Sequence, residues 1–308
     1  MSAQVVVVGS LNMDLVVRAR HLPVPGETLS GSGFSTAAGG KGANQAVAAA
    51  RLGARTAMIG CVGGDAFGEQ LRAGLEADGV DCRGLRTVPG VSSGVALIVV
   101  DDDGRNGIVV VPGANGQLAP ADVEARSGAF AAAAVVALQL EVPLGTVEHA
   151  ARRARQLGKT VVLNPAPAPP GPLPAALYAC ADFLVPNEIE AAALAGSPVT
   201  SPESAAAAGR RLREAGAATV LVTLGAQGVV AVGPRGSEHF PAPRVEAVVD
   251  TTAAGDTFIG GLCAALVAGR ALPEAVGFAQ AAAALSVTRR GAQPSIPFAR
   301  EVAWPGER

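Results

Sequence analysis

The chain has 308 residues, 49% of them hydrophobic, and a formal net charge of −2, which is the composition of an ordinary globular protein. It has no basic tract and only one Trp and one Tyr, so a nucleic-acid partner is not expected. Its longest apolar runs, 129–138 and 262–268, are far shorter than the roughly 18 residues that span a bilayer, so a membrane partner is not expected either.

The first part of the chain predicts strands mixed with two helices. Residues 4–9, QVVVVG, form a β-branched run that is typical of a strand buried on both faces. The prolines and glycine of HLPVPG exclude a helix, and alternation predicts short antiparallel strands at 15–17 and 28–34. A glycine-rich loop (AAGGKGAN) then opens a helix that ends at Gly53, and a buried strand (TAMIGCVGG) and a second helix (FGEQLRAGLEADG) follow. The segment VSSGVALIVVDDDGRNGIVVVPGAN predicts a hairpin around an Asp-Gly turn.

After Pro120, predicted strands and helices alternate regularly. The strands VVALQL, TVVLNPAP, ADFLVPN and TVLVTLG occur with the helices TVEHAARRARQLG, EIEAAALAG and PESAAAAGRRLREAG, and a hairpin, a strand end and two helices follow. This alternation predicts a single domain over 1–308, with a three-layer α/β/α fold and a mostly parallel central sheet. The regions 11–38 and 91–114 fall outside the alternation, and we expect them to pair into a small β-sheet lid.

Several common kinds of site are absent from the sequence. The four cysteines form no CxxC pair and the three histidines form no HxH or HExxH motif, so a zinc site is not expected. A GxSxG motif is missing, and so is GxGxxG after the first strand, which argues against a serine hydrolase and a dinucleotide enzyme. Widely spaced cysteines are typical of a reducing compartment, and the first residues lack the features of a signal peptide, so a cytoplasmic protein is expected.

Ligands of parallel α/β sheets bind beyond the carboxyl ends of the strands, and VVDTTAAGDTFIGG, residues 248–261, is the strongest candidate of this kind. It predicts a strand end, a turn of small residues and a helix that begins near Ala253. A helix N-terminus can bind an anion, because its first N–H groups are unpaired and it is the positive end of the helix dipole. Asp256, in the first turn, could favour the dipole or act as a base beside an anion site, and the segment alone leaves both roles open.

Candidate residues for binding a small-molecule substrate lie before and at the start of the first long helix and after a later strand. Asn12 and Asp14 come after the first strand, where they fit either a turn or a pair that binds vicinal hydroxyls. Lys41, one of two lysines, lies in a glycine-rich loop that lacks the P-loop spacing, which slightly favours a substrate site over simple packing. Glu141 is either a strand exit or a ligand, and the residue alone does not decide between them.

Two further candidates lie in the second half. Asn187 and Glu190 stand three apart at a helix start, which fits a capping box or, alternatively, the ordering of water around Mg²⁺. The segment 223–228 (TLGAQG) ends a strand, and its glycines would let a phosphate approach the backbone.

Taken together, these segments resemble the PfkB sugar kinase family. The resemblance runs from about residue 5 to residue 297, and GGKGAN and DTxAAGDTF, in this order and spacing, are specific to the family. The segments that carry it are GSLNMD, PGET, GGKGANQAVAAARLGA, GVALIVVD, LNPAPA, PNEIEA, VLVTLGAQG, DTTAAGDTFIGGL and AVGFAQAAAALSVTRRGAQPSIP. The closing GAQPS is similar to the ribokinase branch of the family.

The resemblance implies an α/β/α domain with a β-sheet lid that transfers phosphate from ATP to the 5-hydroxyl of D-ribose. The alternative is another PfkB-type kinase that acts on 2-deoxyribose, a nucleoside or another sugar. Met13 stands where many members have a smaller residue, which could favour a less hydroxylated sugar. A sugar-binding protein without catalysis is disfavoured by the intact AAGD turn.

The resemblance also implies a role for each matching residue. Asp256 would be the catalytic base, and the amides of Ala253, Ala254 and Gly255 would form an anion hole. The sugar would be held, besides Asp256, by Asn12, Asp14, Gly39, Gly40, Lys41, Asn44 and Glu141. The nucleotide would contact Asn187, Thr223, Gly225, Gly228 and Gly255, with Gln280 standing where some members place a histidine near the adenine.

Metal ions and a partner subunit are implied in the same way. Glu190 would contact Mg²⁺ through water. An activating monovalent cation, usually K⁺, would be bound by the side chains of Asp250 and Ser295 and by the carbonyls of Thr252, Ser286, Arg289 and Gly291. Members of the family commonly pair their lids, which implies a homodimer.

Overall fold

Two β-sheets, one of nine strands and one of four, form the frame of the described part of the chain. The computed structural model describes residues 2–169, 171–304 and 306, so the other positions of the expected 1–308 domain lie outside the described residues. The strands are β1 (Val5–Val8), β2 (Asn12–Arg18), β3 (Gly33–Gly39), β4 (Thr56–Gly63), β5 (Asp81–Val88), β6 (Gly94–Val100), β7 (Asn106–Val111), β8 (Val135–Leu138), β9 (Thr160–Leu163), β10 (Phe183–Leu184), β11 (Thr219–Thr223), β12 (Val229–Gly233) and β13 (Gly236–Phe240). The helices are α1 (Lys41–Arg51), α2 (Ala66–Ala77), α3 (Pro120–Glu124), α4 (Ser127–Ala132), α5 (Leu144–Gln156), α6 (Ala175–Cys180), α7 (Glu188–Ala195), α8 (Pro202–Glu214), α9 (Ala254–Val267) and α10 (Leu272–Ser286).

The nine-stranded sheet has the order β13-β12-β11-β10-β9-β8-β1-β4-β5, and only β12 and β13 pair antiparallel to their neighbours. Helices cover both faces, so the residues of β1 alternate between two apolar cores. Val5 and Val7 pack into one core, Val6 and Val8 into the other, and all four are fully buried. This is the three-layer α/β/α arrangement with a mostly parallel sheet, which confirms the predicted fold class.

The four-stranded sheet has the order β3-β2-β6-β7, with β2 and β6 parallel and the outer pairs antiparallel. It contains the strands of the two regions that fall outside the α/β alternation. The predicted antiparallel pair is present as β2 and β3, but the bounds of the second strand were wrong: it begins at Gly33, opposite Arg18, and runs to Gly39 instead of covering 28–34. Much of the sheet's apolar surface faces solvent, notably Phe34, Leu97, Ile108, Val109, Val110 and Val111.

The structure differs from the sequence-based expectations at three other places. Asn12 and Asp14 are not in a turn but at the start of β2, because the chain leaves the large sheet after β1 and enters the small one at once. Lys41 is the first residue of α1 rather than a loop residue. The expected strand end at 248–250 is also wrong, since these residues leave the edge strand β13 and add no strand to the sheet.

Four elements escaped prediction: β5, α3, α4 and α6, the last a helix of six residues. β5 lies at the edge of the large sheet, and its exposed or half-buried Arg83 and Arg86 hide the strand pattern. The helices α3 and α4 have only five and six residues, too few to show a helical period. Within the described ranges, no helix is both long enough and apolar enough to cross a membrane.

Candidate active site

The N-terminus of α9 is built on an unusual backbone turn. Ala253, the residue that precedes the helix, has φ 60, and among the described residues it is the one non-glycine residue with positive φ. Such a conformation costs on the order of 1–3 kcal/mol and persists where the surroundings enforce it, often at functional sites. Ala254 N–H donates to the carbonyl of Thr251 at 3.2 Å, whereas the N–H groups of Gly255 and Asp256 have no acceptor among the described residues. Among the described residues, Ala253 N–H has no acceptor either, so Ala253 and Gly255 of the predicted anion hole keep free donors, Asp256 adds a third, and Ala254 N–H is engaged.

Asp256 is buried at this helix start, with 7% of its surface exposed. Each carboxylate oxygen accepts one amide hydrogen bond: Asn44 Nδ2 donates to Oδ2 at 3.0 Å and Gln45 Nε2 donates to Oδ1 at 3.0 Å. Both donors lie on α1, which packs against α9. The structure thus brings Asn44 and Asp256, two predicted site residues more than 200 positions apart, into contact.

Two further carboxylates, Glu141 and Asp14, lie near Asp256. Glu141 follows β8 of the large sheet, and Asp14 belongs to β2 of the small sheet. Glu141 Oε2 accepts hydrogen bonds from the Ser10 hydroxyl at 2.5 Å and from Lys41 N–H at 3.0 Å. Asp14 lies on β2 with its carboxylate against Gly39, and burial, with the charges of Glu141 and Asp256 as further causes, raises its pKa to about 7. Met13 points to the other face of the strand and packs into the apolar core, so its bulk does not line the face that carries Asp14.

This pKa makes stability depend on pH in a defined direction. The folded protein holds a proton on Asp14 up to about pH 7, whereas the unfolded chain loses it near pH 4, so the free energy of unfolding falls as pH rises between these values. We expect Asp14→Asn to raise the free energy of unfolding at pH 8 by on the order of 1–3 kcal/mol, with the gain fading toward pH 4. Urea unfolding at both pH values checks this, with Asp102→Asn, an exposed acid, as the control. An equal effect of Asp14→Asn at both pH values would contradict it.

The side-chain amide of Asn12, a candidate for binding hydroxyl groups, is oriented by Asn115. Asn115 is buried and accepts Leu11 N–H, while its Nδ2 donates to the Leu11 carbonyl and to Asn12 Oδ1 at 2.8 Å. Because the Asn12 oxygen is engaged, the Asn12 amide nitrogen is the atom left to contact a ligand. Asn115 was not predicted as a site residue, and its separation of 103 residues from Asn12 leaves no signal in the sequence.

A cavity of about 210 Å³ opens next to the turn. A Cβ built on Gly255 would meet no atom within 4 Å, so the turn leaves room for a group as large as a phosphate. Burial alone would lower the pKa of Lys41, but Asp256, Glu141 and Glu190 hold it above its ordinary value, so the ammonium is charged. The lining residues are Lys41, Asn164, Ala166, Val185, Asn187, Glu190, Thr223, Thr251, Ala253, Ala254, Gly255, Asp256 and Ile259.

Asn187 and Glu190 form the capping box of α7. Asn187 Oδ1 accepts Glu190 N–H at 2.8 Å and Glu190 Oε2 accepts Asn187 N–H at 2.9 Å, so their structural role is established. The same pair lines the cavity, and burial raises the pKa of Glu190. Within residues 2–169, 171–304 and 306, no group of three acidic, His or Cys side chains could hold a metal ion. These residues therefore fit a magnesium ion only if nucleotide phosphates and water supply most of its ligands.

A larger cavity of about 910 Å³ lies between residues 241–249 and α10. Gln280 lines it, but its amide nitrogen donates to the carbonyl of Phe240 at 2.9 Å, so this donor is already engaged. Trp304 also lines the cavity and stacks on Phe278, with ring centroids 3.9 Å apart. Thr223 ends β11 and is bridged to Asn187, and Gly225 and Gly228 follow it at the start of the β12 hairpin.

The six residues expected around a monovalent cation come from three neighbouring segments. Asp250 accepts hydrogen bonds from Thr252 N–H and from Gly291 N–H, each at 2.9 Å, and its own N–H donates to Val287 O. Burial alone would raise the pKa of Asp250, but these hydrogen bonds hold it below its ordinary value, so it is charged. Carboxylate, hydroxyl and carbonyl oxygens, which suit hard cations, are the groups that these segments supply. The remaining members are Ser286 and Ser295, both fully buried, and Arg289, which pairs with Glu301.

Comparison with known proteins places this arrangement in a family. The sequence pattern of the pfkB family carbohydrate kinases matches residues 2–299. The chain is 43% identical over 295 residues to a ribokinase of Haemophilus influenzae, covering 96% of this chain and 95% of that protein. It is 40% identical over 294 residues to a deoxyribokinase of Salmonella typhi, covering 95% of each.

A solved structure extends the likeness to three dimensions. The structure of Arabidopsis thaliana ribokinase complexed with ribose and ATP superimposes with a TM-score of 0.90, at 35% identity and with 97% of each chain covered. Family pattern, sequence identity and fold agree over nearly the whole length. The chain is therefore a member of the PfkB family of carbohydrate kinases.

Proposed function

We propose that this protein phosphorylates D-ribose at the 5-hydroxyl with ATP, giving ribose 5-phosphate and ADP. The observation that carries the proposal is the position of Asp256. Its carboxylate lies at the helix start that lines the 210 Å³ cavity, next to free backbone N–H groups and a charged lysine. On its other side it contacts Asn44, near the Asp14 and Glu141 carboxylates. A base between an anion site and a polyhydroxyl site is what sugar phosphorylation requires.

The chain's own residues divide the work of the reaction. Asn12, Asp14, Gly39, Gly40, Asn44 and Glu141 would bind the sugar and aim its 5-hydroxyl at Asp256, which takes the proton as the oxygen attacks the terminal phosphate. The N–H groups of Gly255 and Asp256 and the Lys41 ammonium stabilise the charge that develops on the transferred group. The small sheet acts as a lid that excludes water, which limits loss of ATP to hydrolysis. Glu190 would hold Mg²⁺ through water, and the ion would supply further charge neutralisation for the phosphates.

The residues proposed to bind the nucleotide come from the second half of the chain. Asn187, Thr223, Gly225 and Gly228 would contact ATP along the ends of β10 and β11, and Gln280 would lie near the base in the larger cavity. The Arabidopsis thaliana relative is complexed with ribose and ATP, which supports ATP as the second ligand of this protein.

A monovalent cation, K⁺ by preference, would bind at Asp250, Thr252, Ser286, Arg289, Gly291 and Ser295. Asp250 and Thr252 immediately precede the Ala253 turn, so a cation there would stiffen the anion site. We expect K⁺ to raise kcat over a tetramethylammonium buffer, and Asp250→Ala to remove most of that response. Measuring ADP release against KCl concentration checks this, with Glu214→Ala, an exposed acid at the end of α8, as the control. A variant that keeps the full K⁺ response would contradict the assignment.

The protein is also proposed to act as a homodimer in the cytoplasm. The exposed apolar residues of the small sheet, among them Phe34, Ile108 and Val110, form a surface that a second copy would cover. The four cysteines are buried free thiols, which suits a reducing compartment.

The experiment that tests the function is a coupled ADP-release assay over a panel of acceptors. Ribose, 2-deoxyribose, adenosine and fructose are compared at equal concentrations, with Mg²⁺ present and then removed with EDTA. We expect ribose to give the largest kcat/KM and EDTA to abolish turnover. A larger kcat/KM for 2-deoxyribose, the substrate suggested by the name of the Salmonella typhi relative, or for adenosine would overturn the ribose assignment while leaving kinase activity intact.

A further inference from the structure

Two buried glutamines lie behind Asp256, on the side away from the cavity. Gln45 on α1 is 1% exposed and Gln139, just after β8, is fully buried. Gln139 Nε2 donates to Gln45 Oε1, and Gln45 Nε2 donates to Asp256 Oδ1 at 3.0 Å. The chain of contacts therefore runs from the strand β8, through α1, to the start of α9.

The direction of these hydrogen bonds is fixed by chemistry. A carboxylate only accepts, so the Gln45 atom that faces Asp256 must be the amide nitrogen, and its oxygen must face Gln139. Asn164 agrees with this orientation, because its oxygen accepts Gln45 Nε2 at 3.2 Å while its nitrogen donates to the carbonyl of Val185 at 2.9 Å. Turning the Gln45 amide over would break its three hydrogen bonds, to Asp256, Asn164 and Gln139.

Burying the Gln139 side chain lowers the stability of the folded protein, because one of its polar atoms is unsatisfied. Gln139 Oε1 is buried with no hydrogen-bond partner among the described residues, and burying an unsatisfied polar atom costs about 1–3 kcal/mol. A methionine or leucine would fill the same space without that cost. The glutamine thus serves something other than packing, and its one polar contact is with Gln45.

We propose that Gln139 and Gln45 form a positioning relay that holds the Asp256 carboxylate in its reactive orientation. Gln45 and Asn44 bind one carboxylate oxygen each, which fixes the rotation of the group about its Cβ–Cγ bond. Asn44 lies on the sugar side, so a bound sugar can disturb its bond, while Gln45 is anchored from behind by the strand β8. This inference rests on the proposed role of Asp256 as the base. Gln45 and Gln139 touch neither sugar nor nucleotide in it, and they act through Asp256 alone.

The test is a set of steady-state measurements with ribose and ATP on the full chain. Gln45→Met keeps the size of the side chain and removes its three hydrogen bonds, and we expect kcat to fall about 10- to 100-fold because a misplaced base loses that much. The KM for ribose is expected to stay within about threefold, since no sugar contact is lost. Gln139→Met should lower kcat less, by about 3- to 10-fold. Val47→Ala, which leaves a gap in the buried face of the same helix, is the control and should keep kcat.

The double variant gives the sharper result. If Gln139 acts through Gln45, Gln139→Met should change kcat by less than about twofold when Gln45 is already methionine.

A further variant, Gln45→Glu, keeps the shape of the side chain but places a second negative charge against Asp256. It is expected to lower kcat at least as much as Gln45→Met, and thermal melts are run on each variant. Independent, multiplicative effects of the two methionines, or a Gln45→Met variant that changes only the ribose KM or only the melting temperature, would overturn the relay. Loss of turnover in Asp256→Asn with full turnover in Gln45→Met would also refute the relay but keep the proposed function. Full turnover in Asp256→Asn would remove the base on which the relay rests, whereas a parent protein that does not turn over ribose would remove the function itself.

Discussion

Asp256→Asn is expected to lower kcat for ribose by about 10²–10⁴, the usual contribution of a general base. Asparagine has the same shape and keeps an oxygen that accepts from Gln45, and its amide nitrogen can donate to the unpaired Asn44 Oδ1 once the Asn44 amide turns over. It cannot accept the proton of the attacking hydroxyl. The sugar and nucleotide contacts stay in place, so both KM values should change by less than about threefold. Steady-state ADP release and a urea unfolding curve, which should match that of the parent protein, check the result.

The matched control is Asp250→Asn, at the acid six residues earlier on the same segment. It touches the proposed cation site and not the attacking oxygen, so its loss in kcat should shrink at high K⁺ while the loss in Asp256→Asn should not. An Asp256→Asn enzyme with near-parental turnover would remove the base from the mechanism.

The second large effect is expected at Gly40, the residue before α1. Its φ is 88, and a Cβ at this position would meet the Asn12 backbone nitrogen at 2.7 Å and Leu11 Cα at 2.9 Å. Both atoms are backbone, so the chain itself must shift at the point where β1 passes into β2. We expect Gly40→Ala to lower the free energy of unfolding by on the order of 2–4 kcal/mol and to raise the ribose KM about 100-fold, because Asn12 moves. Urea unfolding and the ribose assay measure the two effects.

Gly53→Ala is the control that separates the steric clash of a Cβ at Gly40 from the cost of a positive φ in a non-glycine residue. Gly53 has φ 104, but its Cβ would meet no atom within 4 Å, so the alanine there pays only for the backbone conformation, about 1 kcal/mol. Its ribose KM should equal that of the parent. Equal losses of stability in the two variants would show that the close approach of Gly40 to Asn12 does not matter.

The fold was largely predictable because its strands are either fully buried or form hairpins. The β-branched run of β1 and the Asp-Gly turn between β6 and β7 are local signals that the folded chain keeps. β5 was missed because an edge strand with arginines on its open side lacks the pattern of a buried strand. The sequence left a turn and a hydroxyl-binding pair open for Asn12 and Asp14, because no local feature shows that the chain enters the small sheet so soon after β1.

The candidate site was predicted unevenly for a different reason. Asn187 and Glu190 show their capping role in the sequence, since a capping box is a three-residue pattern. Gln45, by contrast, meets Asp256 across 211 positions and Gln139 across 94, and a glutamine in an alanine-rich helix has no local sign of that contact. The family motif brought Asp256 and Asn44 forward, while the residues behind them required three-dimensional coordinates.

The stacked Trp304 gives the protein an internal optical reporter. It is the single tryptophan in the chain, it lies against Phe278 and under the Arg270 guanidinium, and it lines the larger cavity on the nucleotide side. Indole emission depends on the polarity and contacts of the ring, so a base that enters this cavity changes the fluorescence, whereas a sugar at Asp14 lies beyond its reach. Nucleotide binding can therefore be followed by titration without a label and without turnover, in the parent protein and in variants that no longer catalyse.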